Sequence, residues 1–398
     1  MFRFWYREEA EHCDPDRGWR VPRPIGVGIV GANPDRGWAA RAHIPALASS
    51  PQFALTAVAT SRQDSAEAAR VRFGARHAFT DVHSLAAHPD VDLVVVTVKV
   101  PAHLELVTAG LTAGKHVYCE WPLARTADEA STLAAAARAG GVRTAVGLQA
   151  RYAPAVRRAR EVITGGRLGT VRSVAVHSCR GQGNALEVPA WTAYTYDGRN
   201  GAGLVEVLGG HVLDLVQYLV GPIRDLSART AIRTTGHRIA ETGEPVTVTA
   251  ADHLLATAEL DGGAVASLHL YDGEAARPHT AITVAGTGGN LLLASAPEAS
   301  PSAAQPQIGR LDLYQSRPDR PEWTPVPVDA DHASALPVEA ANVARLYRRL
   351  AMDLQCGDLQ RRSHTTPDFQ DALDLHRVLE RIPRPVSGLR TGPARSNP

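Results

Sequence analysis

One stretch of this 398-residue chain limits the folds open to the rest: Ile25 to Leu47, reading IGVGIVGANPDRGWAARAHIPAL. The apolar, largely β-branched run Ile25–Val30 stops at Gly31. A short polar turn follows, and then an alanine-rich segment suited to a helix. Strand, tight turn and helix in that order place backbone N–H groups and a helix N-terminus where they can hold phosphate. The stretch predicts a dinucleotide site built on Gly31, Asn33, Gly37 and Trp38. Its spacing departs from G-x-G-x-x-G, since Asn33 takes the second position and Gly37 falls one residue late. Such a turn acquires meaning only from the sheet it opens.

The next 125 residues or so supply that sheet. Phe53–Ala59 (FALTAVA) reads as a strand, and Thr60, Ser61 and Arg62 follow it. In a dinucleotide fold an acidic residue beyond the second strand binds the ribose 2′-hydroxyl. Here hydroxyls and a guanidinium stand instead, which suits a 2′-phosphate, so NADP is expected, with NAD possible. The plain alternative is that Arg62 faces solvent at a helix start. Ser65–Phe73 reads as a helix, His77–Phe79 as an edge strand, and Val91–Val98 as a strand covered on both faces. Pro101 starts a helix to about Ala113, Gly114–Glu120 is another strand, a helix begins near Thr126, and Val142–Leu148 is a further strand. This alternation predicts a doubly wound parallel sheet over residues 25–148. Beyond Gln149 the rhythm changes. Pro154–Thr164 and Leu204–Val220 read as helices. Val171–Ser178, Asp225–Ile232, Ala251–Leu260, Ala264–Tyr271, Thr280–Gly286 and Asn290–Ala294 read as strands of a large, mostly antiparallel open sheet. Ser295–Gln307 reads as a surface loop, and Leu311–Gln315 as a return to the sheet edge. Helices over Val338–Cys356 and Asp368–Arg381 close the chain. The expected class is α/β: an extension (1–24), a Rossmann domain (25–148), a second α/β domain (149–385) and a tail (386–398).

Charge and composition exclude several functions. Lys plus Arg total 42 against 41 Asp plus Glu, so no basic excess advertises nucleic-acid binding. Cys13, Cys119, Cys179 and Cys356 form no C-x-x-C pair, which predicts reduced thiols in a cytoplasmic protein and no metal site. No apolar run approaches the roughly 20 residues of a membrane span, and the first residues lack the pattern of a signal peptide.

Several dispersed motifs share one resemblance. They are VGIVGA (Val27–Ala32), HIPAL (His43–Leu47), the strand-to-helix turn ending at His103, EWPLA (Glu120–Ala124), RYAPA (Arg151–Ala155), GRLG (Gly166–Gly169) and GGHVLDL (Gly209–Leu215). Together they make the chain resemble the glucose–fructose oxidoreductase/inositol dehydrogenase (Gfo/Idh/MocA) family. The resemblance implies an N-terminal Rossmann domain and a C-terminal sheet that serves as a homodimer or homotetramer surface. It implies hydride transfer between NAD(P) and a hydroxyl or keto carbon of a sugar-like substrate. The family's Glu-Lys-Pro is Glu120-Trp121-Pro122 here, and its frequent aspartate four residues before His211 is Val207, with Glu206 beside it. The NxxxGWA turn, Glu-Trp, and a GHxxD helix are similar to the branch that includes the galactose-pathway repressor of fungi, which binds a dinucleotide and a protein partner. Two further readings therefore stay open: a non-catalytic dinucleotide-binding regulator, and a lyase or epimerase using transient internal redox.

The same resemblance assigns the site. His211 is the expected acid/base, with Asp214 one turn on to orient it; a purely structural pair is the alternative. Tyr194 or Tyr196, in WTAYTYDGRNGAG, is a candidate for the proton-donor part of the missing lysine, against plain packing. His103 is expected as a structural or nicotinamide-side contact, Glu120 at the nicotinamide ribose, and Trp121 stacked on nicotinamide or substrate. Arg151 is expected at the substrate or the domain junction. Arg180 is expected to meet a polar substrate or to be merely solvated.

Overall fold

The computed structural model describes residues 23–181, 185–273, 278–296, 305–355 and 366–385. The expected extension, the tail, Cys13 and Cys356 lie outside these residues, apart from the last two positions of the extension. Six parallel strands form the first sheet: β1 (Ile25–Val30), β2 (Phe53–Ala59), β3 (His77–Phe79), β4 (Leu93–Val96), β5 (His116–Cys119) and β6 (Thr144–Val146), in the order β3-β2-β1-β4-β5-β6. Every neighbour pair is parallel, with Val30 opposite Val96 and Val96 opposite Cys119. Such strands must be apolar on both sides, because helices cover both faces. The residues of β4 alternate accordingly. Leu93 and Val95 enter one apolar cluster, and Val94 and Val96 the other.

The covering helices come from both ends of the chain. The short α1 (Ile44–Ala48), α2 (Gln63–Phe73), α3 (Val82–Ala87), α4 (His103–Thr112) and α5 (Ala127–Gly140) follow their strands. Thr126 caps α5 through its side chain, with Asp128 and Glu129 in the first turn, where acidic groups meet the positive end of the helix dipole. After α6 (Pro154–Thr164) and α7 (Gly210–Leu219), the chain returns with α8 (Val338–Gln355) and α9 (Phe369–Glu380). The α8 residues Val343, Leu346, Tyr347 and Leu350 pack with Val27, Ile29 and Val95 on one face of the parallel sheet. Phe369, Leu373 and Leu375 of α9 join the other face. The last two helices therefore complete the N-terminal layer, an arrangement that sequence order alone assigned to the second domain.

The second sheet holds β7 (Val171–Arg180), β9 (Ile223–Ala231), β11 (His253–Leu260), β12 (Val265–Asp272), β13 (His279–Gly286), β14 (Gly289–Ser295), β15 (Leu311–Arg317) and β16 (Arg320–Pro325). Their order is β16-β15-β14-β13-β7-β12-β11-β9, antiparallel throughout except for β7–β12. A small ribbon pairs β8 (Glu187–Val188) with β10 (Arg238–Ile239). One face of the large sheet buries Val174, Val176, Leu254, Leu268 and Ile282; on the other, Leu255 and Val265 stand 54% and 57% exposed. The expected surface loop ends differently, since Gln305 and Gln307 are buried. Among the described residues, no helix is long and apolar enough to cross a membrane.

Two buried polar groups fasten these layers. Arg151 donates from Nε to both oxygens of Asp214, 3.0 Å each, joining the turn before α6 to α7. His376 of α9 accepts the Ala124 N–H at 3.4 Å and lies against Trp121 with ring centroids 4.7 Å apart.

Replacing Arg151 with Met leaves a buried carboxylate without its cation, a cost of about 3–5 kcal/mol. Urea unfolding should show it, and the double change with Asp214→Leu should recover part of the loss. Burial holds His376 down at about 4. A histidine that folding keeps neutral gives full stability above its unfolded pKa of about 6.5. Below that the unfolded chain takes up a proton that the folded chain refuses, so stability falls by about 1.4 kcal/mol per pH unit for each such histidine down to the folded pKa. Unfolding free energies at pH 7, 6 and 5 should fall more steeply as the pH drops, approaching that slope, and His376→Gln should remove one histidine's share of it.

Candidate active site

The order of the first sheet reverses between β1 and β4, and ligands of open α/β sheets gather at the carboxyl ends of the strands at such a point. Gly31 ends β1 with φ +94°, and a Cβ there would lie 2.7 Å from Val98 Cγ1 and 3.0 Å from Thr97 Oγ1. Only glycine allows both that angle and that approach. Asn33 replaces the second glycine for a visible reason. Its Oδ1 accepts the N–H of Asp35 at 2.9 Å and of Arg36 at 3.2 Å, so the side chain closes the turn itself and is not a free cofactor contact. Gly37, at φ +103°, completes the turn. The indole Nε1 of Trp38 is buried with no hydrogen-bond partner. A cradle that admits only backbone, an unsatisfied donor and the following helix start all fit a pyrophosphate.

Ser61 and Arg62 lie at the end of β2, exposed. A carboxylate is nearer than the sequence reading allowed: Arg62 Nε donates to Asp64 Oδ1 at 3.0 Å. Both partners are over two-thirds exposed, so the pair holds the guanidinium only weakly.

The segment Ala39–His43 is a π-turn rather than the start of a regular α-helix, a rare form found often at functional sites. It sends His43 inward. His43 Nδ1 shares a 2.8 Å hydrogen bond with the Tyr347 hydroxyl, and Nε2 lies 3.0 Å from Glu120 Oε1. Glu120 also presses on Gly147, where a Cβ would come within 2.7 Å of its carboxyl. The HIPAL motif thus contributes a residue that sequence reasoning did not place in the site. Its signal was a histidine directly before the apolar run IPALA.

His103 is fully enclosed. Its Nδ1 lies 2.9 Å from the Pro122 carbonyl and its Nε2 3.1 Å from that of Val98. Burial pushes its pKa down, against the pull of the carbonyls of Val98 and Pro122. It ties the loop after β4 to the turn after β5. That turn contains a cis Trp121-Pro122 peptide. Trp121 does not offer a stacking face to a ligand. Its indole is 6% exposed, Nε1 donates to the Glu206 carbonyl at 2.9 Å, and a Cβ on Gly210 would overlap the ring.

Trp121 thereby sets α7 against the parallel sheet. A second π-turn, Val205–Gly209, precedes α7 and delivers His211. That side chain is 4% exposed, its Nδ1 has no hydrogen-bond partner, and burial lowers its pKa to about 3. It is a neutral imidazole in this state. The expected orientation by Asp214 is not found, because that carboxylate is committed to Arg151. Of the two places expected for Arg151, the substrate or the domain junction, this ion pair puts it at the junction, with Asp214 beside it. Burial raises the Glu206 pKa, and its Oε2 accepts the Gly203 N–H at 3.1 Å.

The two tyrosines separate. Tyr194 carries the Lys99 ammonium 4.7 Å from its ring centroid, and burial raises its pKa. Tyr196 packs at a tilt against His237, ring centroids 4.5 Å apart, and lines a cavity of about 30 Å³ with Arg180. Arg180 is not a free cation, since Nε and Nη2 donate to the two oxygens of Asp272 at 2.8 and 2.6 Å. Lys99 escaped the sequence reading, although it stands just past the strongest strand. Away from this end, His77, His88 and Asp90 bring ligand-type atoms within 4.8 Å of one another, a grouping the sequence spacing did not suggest. The two imidazoles pack at a tilt with centroids 4.0 Å apart, and His77 bonds Asp90 at 3.0 Å.

Comparison with known proteins agrees with this geometry. Residues 25–148 match the model of an oxidoreductase family with an NAD-binding Rossmann fold, and residues 154–295 match the Gal80p C-terminal domain. The dehydrogenase aclE of Aspergillus oryzae is 38% identical over 53% of this chain and 59% of its own length, so the chain spans less than two thirds of that relative. The galactose/lactose metabolism regulatory protein GAL80 of Saccharomyces cerevisiae is 30% identical over 74% of this chain and 70% of its own. The levoglucosan dehydrogenase of Pseudarthrobacter phenanthrenivorans is 30% identical over 53% and 54%. A crystal structure of a super-repressor mutant of S. cerevisiae Gal80p superposes with a TM-score of 0.79 at 27% identity, covering 90% of this chain and 95% of that one. On the sheet order, the cradle at Gly31 and these matches together, the chain belongs to the Gfo/Idh/MocA oxidoreductase family, with a Gal80-like second half.

Proposed function

We propose that this protein is an NAD(P)-dependent oxidoreductase acting on a hydroxyl or keto carbon of a sugar or sugar-derived substrate. The observation that carries the reading is the buried, partnerless Nδ1 of His211 on a helix held against the cofactor end of the sheet. A buried polar atom without a partner costs free energy, and a ligand oxygen is the partner that chemistry would supply. Bound nicotinamide provides the hydride acceptor or donor. Gly31, Gly37 and Trp38 hold its pyrophosphate, Arg62 and Ser61 its 2′-phosphate, and Glu120, steadied by His43, its ribose. His211, kept neutral by burial, hydrogen-bonds the reacting oxygen. Tyr194 lies at the rim. The free thiols Cys119 and Cys179 support a cytoplasmic setting, and the exposed Leu255 and Val265 support self-association through the large sheet.

A regulatory reading has one observation of its own. Trp121 is locked between the two halves and neither titrates nor faces a ligand, as suits a protein that binds a dinucleotide without turning it over. Incubation with NADP(H) and a panel of sugars and keto-sugars decides. Net change in nicotinamide absorbance supports the oxidoreductase, tight binding without turnover the regulator, and product without net change an internal-redox lyase or epimerase.

His211→Ala should lower kcat by about 10²–10⁴-fold while the NADPH dissociation constant stays within about threefold; unchanged turnover would remove His211 from the reaction. Arg62→Ala should weaken NADPH by about 10–100-fold, as loss of a charged hydrogen bond does, and leave NADH almost untouched. Equal losses for both nucleotides in fluorescence titration would refute the 2′-phosphate contact.

A further inference from the structure

The 42 basic side chains of the whole chain include only two lysines, Lys99 and Lys115. The other forty are arginines, so arginine is the ordinary cation of this sequence. A retained lysine therefore marks a place where arginine fails, by shape or because it cannot release a proton. Lys115 shows the first reason. Its Nζ donates to the carbonyls of His88 at 3.2 Å and Val91 at 2.7 Å, a seat for a compact ammonium. Lys99 has no such seat. Among the described residues, its ammonium pairs with no carboxylate and lies over the Tyr194 ring.

Its position is specific. Lys99 stands three residues past Val96, at the carboxyl end of β4 and on the edge of the switch point, in the loop that packs on Gly31. Through the Val98 carbonyl, His103 ties this loop to the Trp121-Pro122 turn, and Trp121 fixes α7 with His211. The lysine comes from the first sheet and the tyrosine from the segment before α7, so the pair joins the switch-point edge to the segment that leads into that helix. Other titratable groups around the cleft are occupied: Glu120 meets His43, Asp214 meets Arg151, and Glu206 accepts from Gly203. His211, at about 3, is a weak proton acceptor.

We infer that Lys99 is the residue that exchanges the substrate's hydroxyl proton, with the Tyr194 ring positioning its Nζ. This rests on the oxidoreductase reading above. In the oxidation direction the substrate O–H bond breaks and its proton joins the free amine of Lys99. The hydrogen on the same carbon leaves with its bonding pair to the hydride acceptor, and the C=O bond forms. Reduction runs the reverse, the ammonium giving up the proton.

The scarcity of lysine makes the test direct. Labelling of the full chain with trinitrobenzenesulfonate, read by peptide mass mapping, reports Lys99 with Lys115 as the shielded control. Saturating NADPH plus a turned-over sugar should protect Lys99 by about tenfold or more, and Tyr194→Ala should change its labelling rate while Tyr194→Phe, which keeps the ring, should not. Lys99→Met should cut kcat by about 100-fold or more, remove one ionisation from the pH profile of kcat/KM, and leave the NADPH dissociation constant within about threefold. Lys99→Arg should fail to restore turnover. Full activity of Lys99→Arg, or an unchanged pH profile in Lys99→Met, overturns proton transfer at Lys99. Lack of protection at Lys99 overturns its place in the cleft, whatever the turnover. Protection by NADPH in a chain that turns over nothing on the panel overturns the oxidoreductase reading and, with it, the proton-transfer role.

Discussion

The contact between the Trp121 indole and Gly210 governs how the two halves of this protein meet. The ring is large, apolar and nearly dry, and the glycine opposite has no side chain to hold it off. The indole N–H is satisfied across the junction by the Glu206 carbonyl, so burial costs no unpaired donor. On the far side the ring meets His376 of α9. A flexible, charged side chain at position 121 would bring a solvation shell into the same space. The chain has exchanged mobility and charge there for fixed geometry, and the orientation of α7, and of His211 upon it, depends on that exchange.

Around this wedge, the ionisable groups divide by whether their surroundings allow charge. Arg151–Asp214 and Arg180–Asp272 are largely enclosed and matched two-pronged to one another, so both ions survive partial desolvation. His211, His376 and His103 are buried with no carboxylate in hydrogen-bond reach, and burial keeps them neutral. The cleft is thus lined by groups that shape and hydrogen-bond. Lys99 is the exposed lysine at its mouth. Two π-turns, one before α1 and one before α7, aim His43 and His211 inward. An extra residue in a turn rotates the register of the helix after it, and only such a shift brings a side chain to the inside without moving the helix.

Much of the fold was legible in the sequence because it is local. Continuous β-branched runs such as Val91–Val98 demand burial on both faces, and the alternation with helices leaves few topologies besides a doubly wound sheet. The large second sheet was visible as strands without helices between them. Short elements escaped: α3, β8, β10 and β16 carry too few residues for a period to show. The site was less legible. Arg151 was read at the substrate or the junction, Arg180 at a polar substrate or in solvent, and Asp214 as the group that orients His211; their partners, Asp214, Asp272 and Arg151, lie 63 to 92 positions away in the chain and carry no local mark.

The sequence by itself determined the strand–turn–helix at Gly31, the parallel sheet behind it and the kinship of the whole, since β-strand burial, turn geometry and helix capping are properties of neighbours along the chain. Tertiary structure alone decided which side chains are free to act. It gave Asn33 to its own turn, Trp121 to the junction and Asp214 to Arg151, and it brought α8 and α9 back onto the first sheet. It also put Lys99 against Tyr194. Those outcomes depend on desolvation and on partners distant in sequence, and such quantities exist only once the chain has closed on itself.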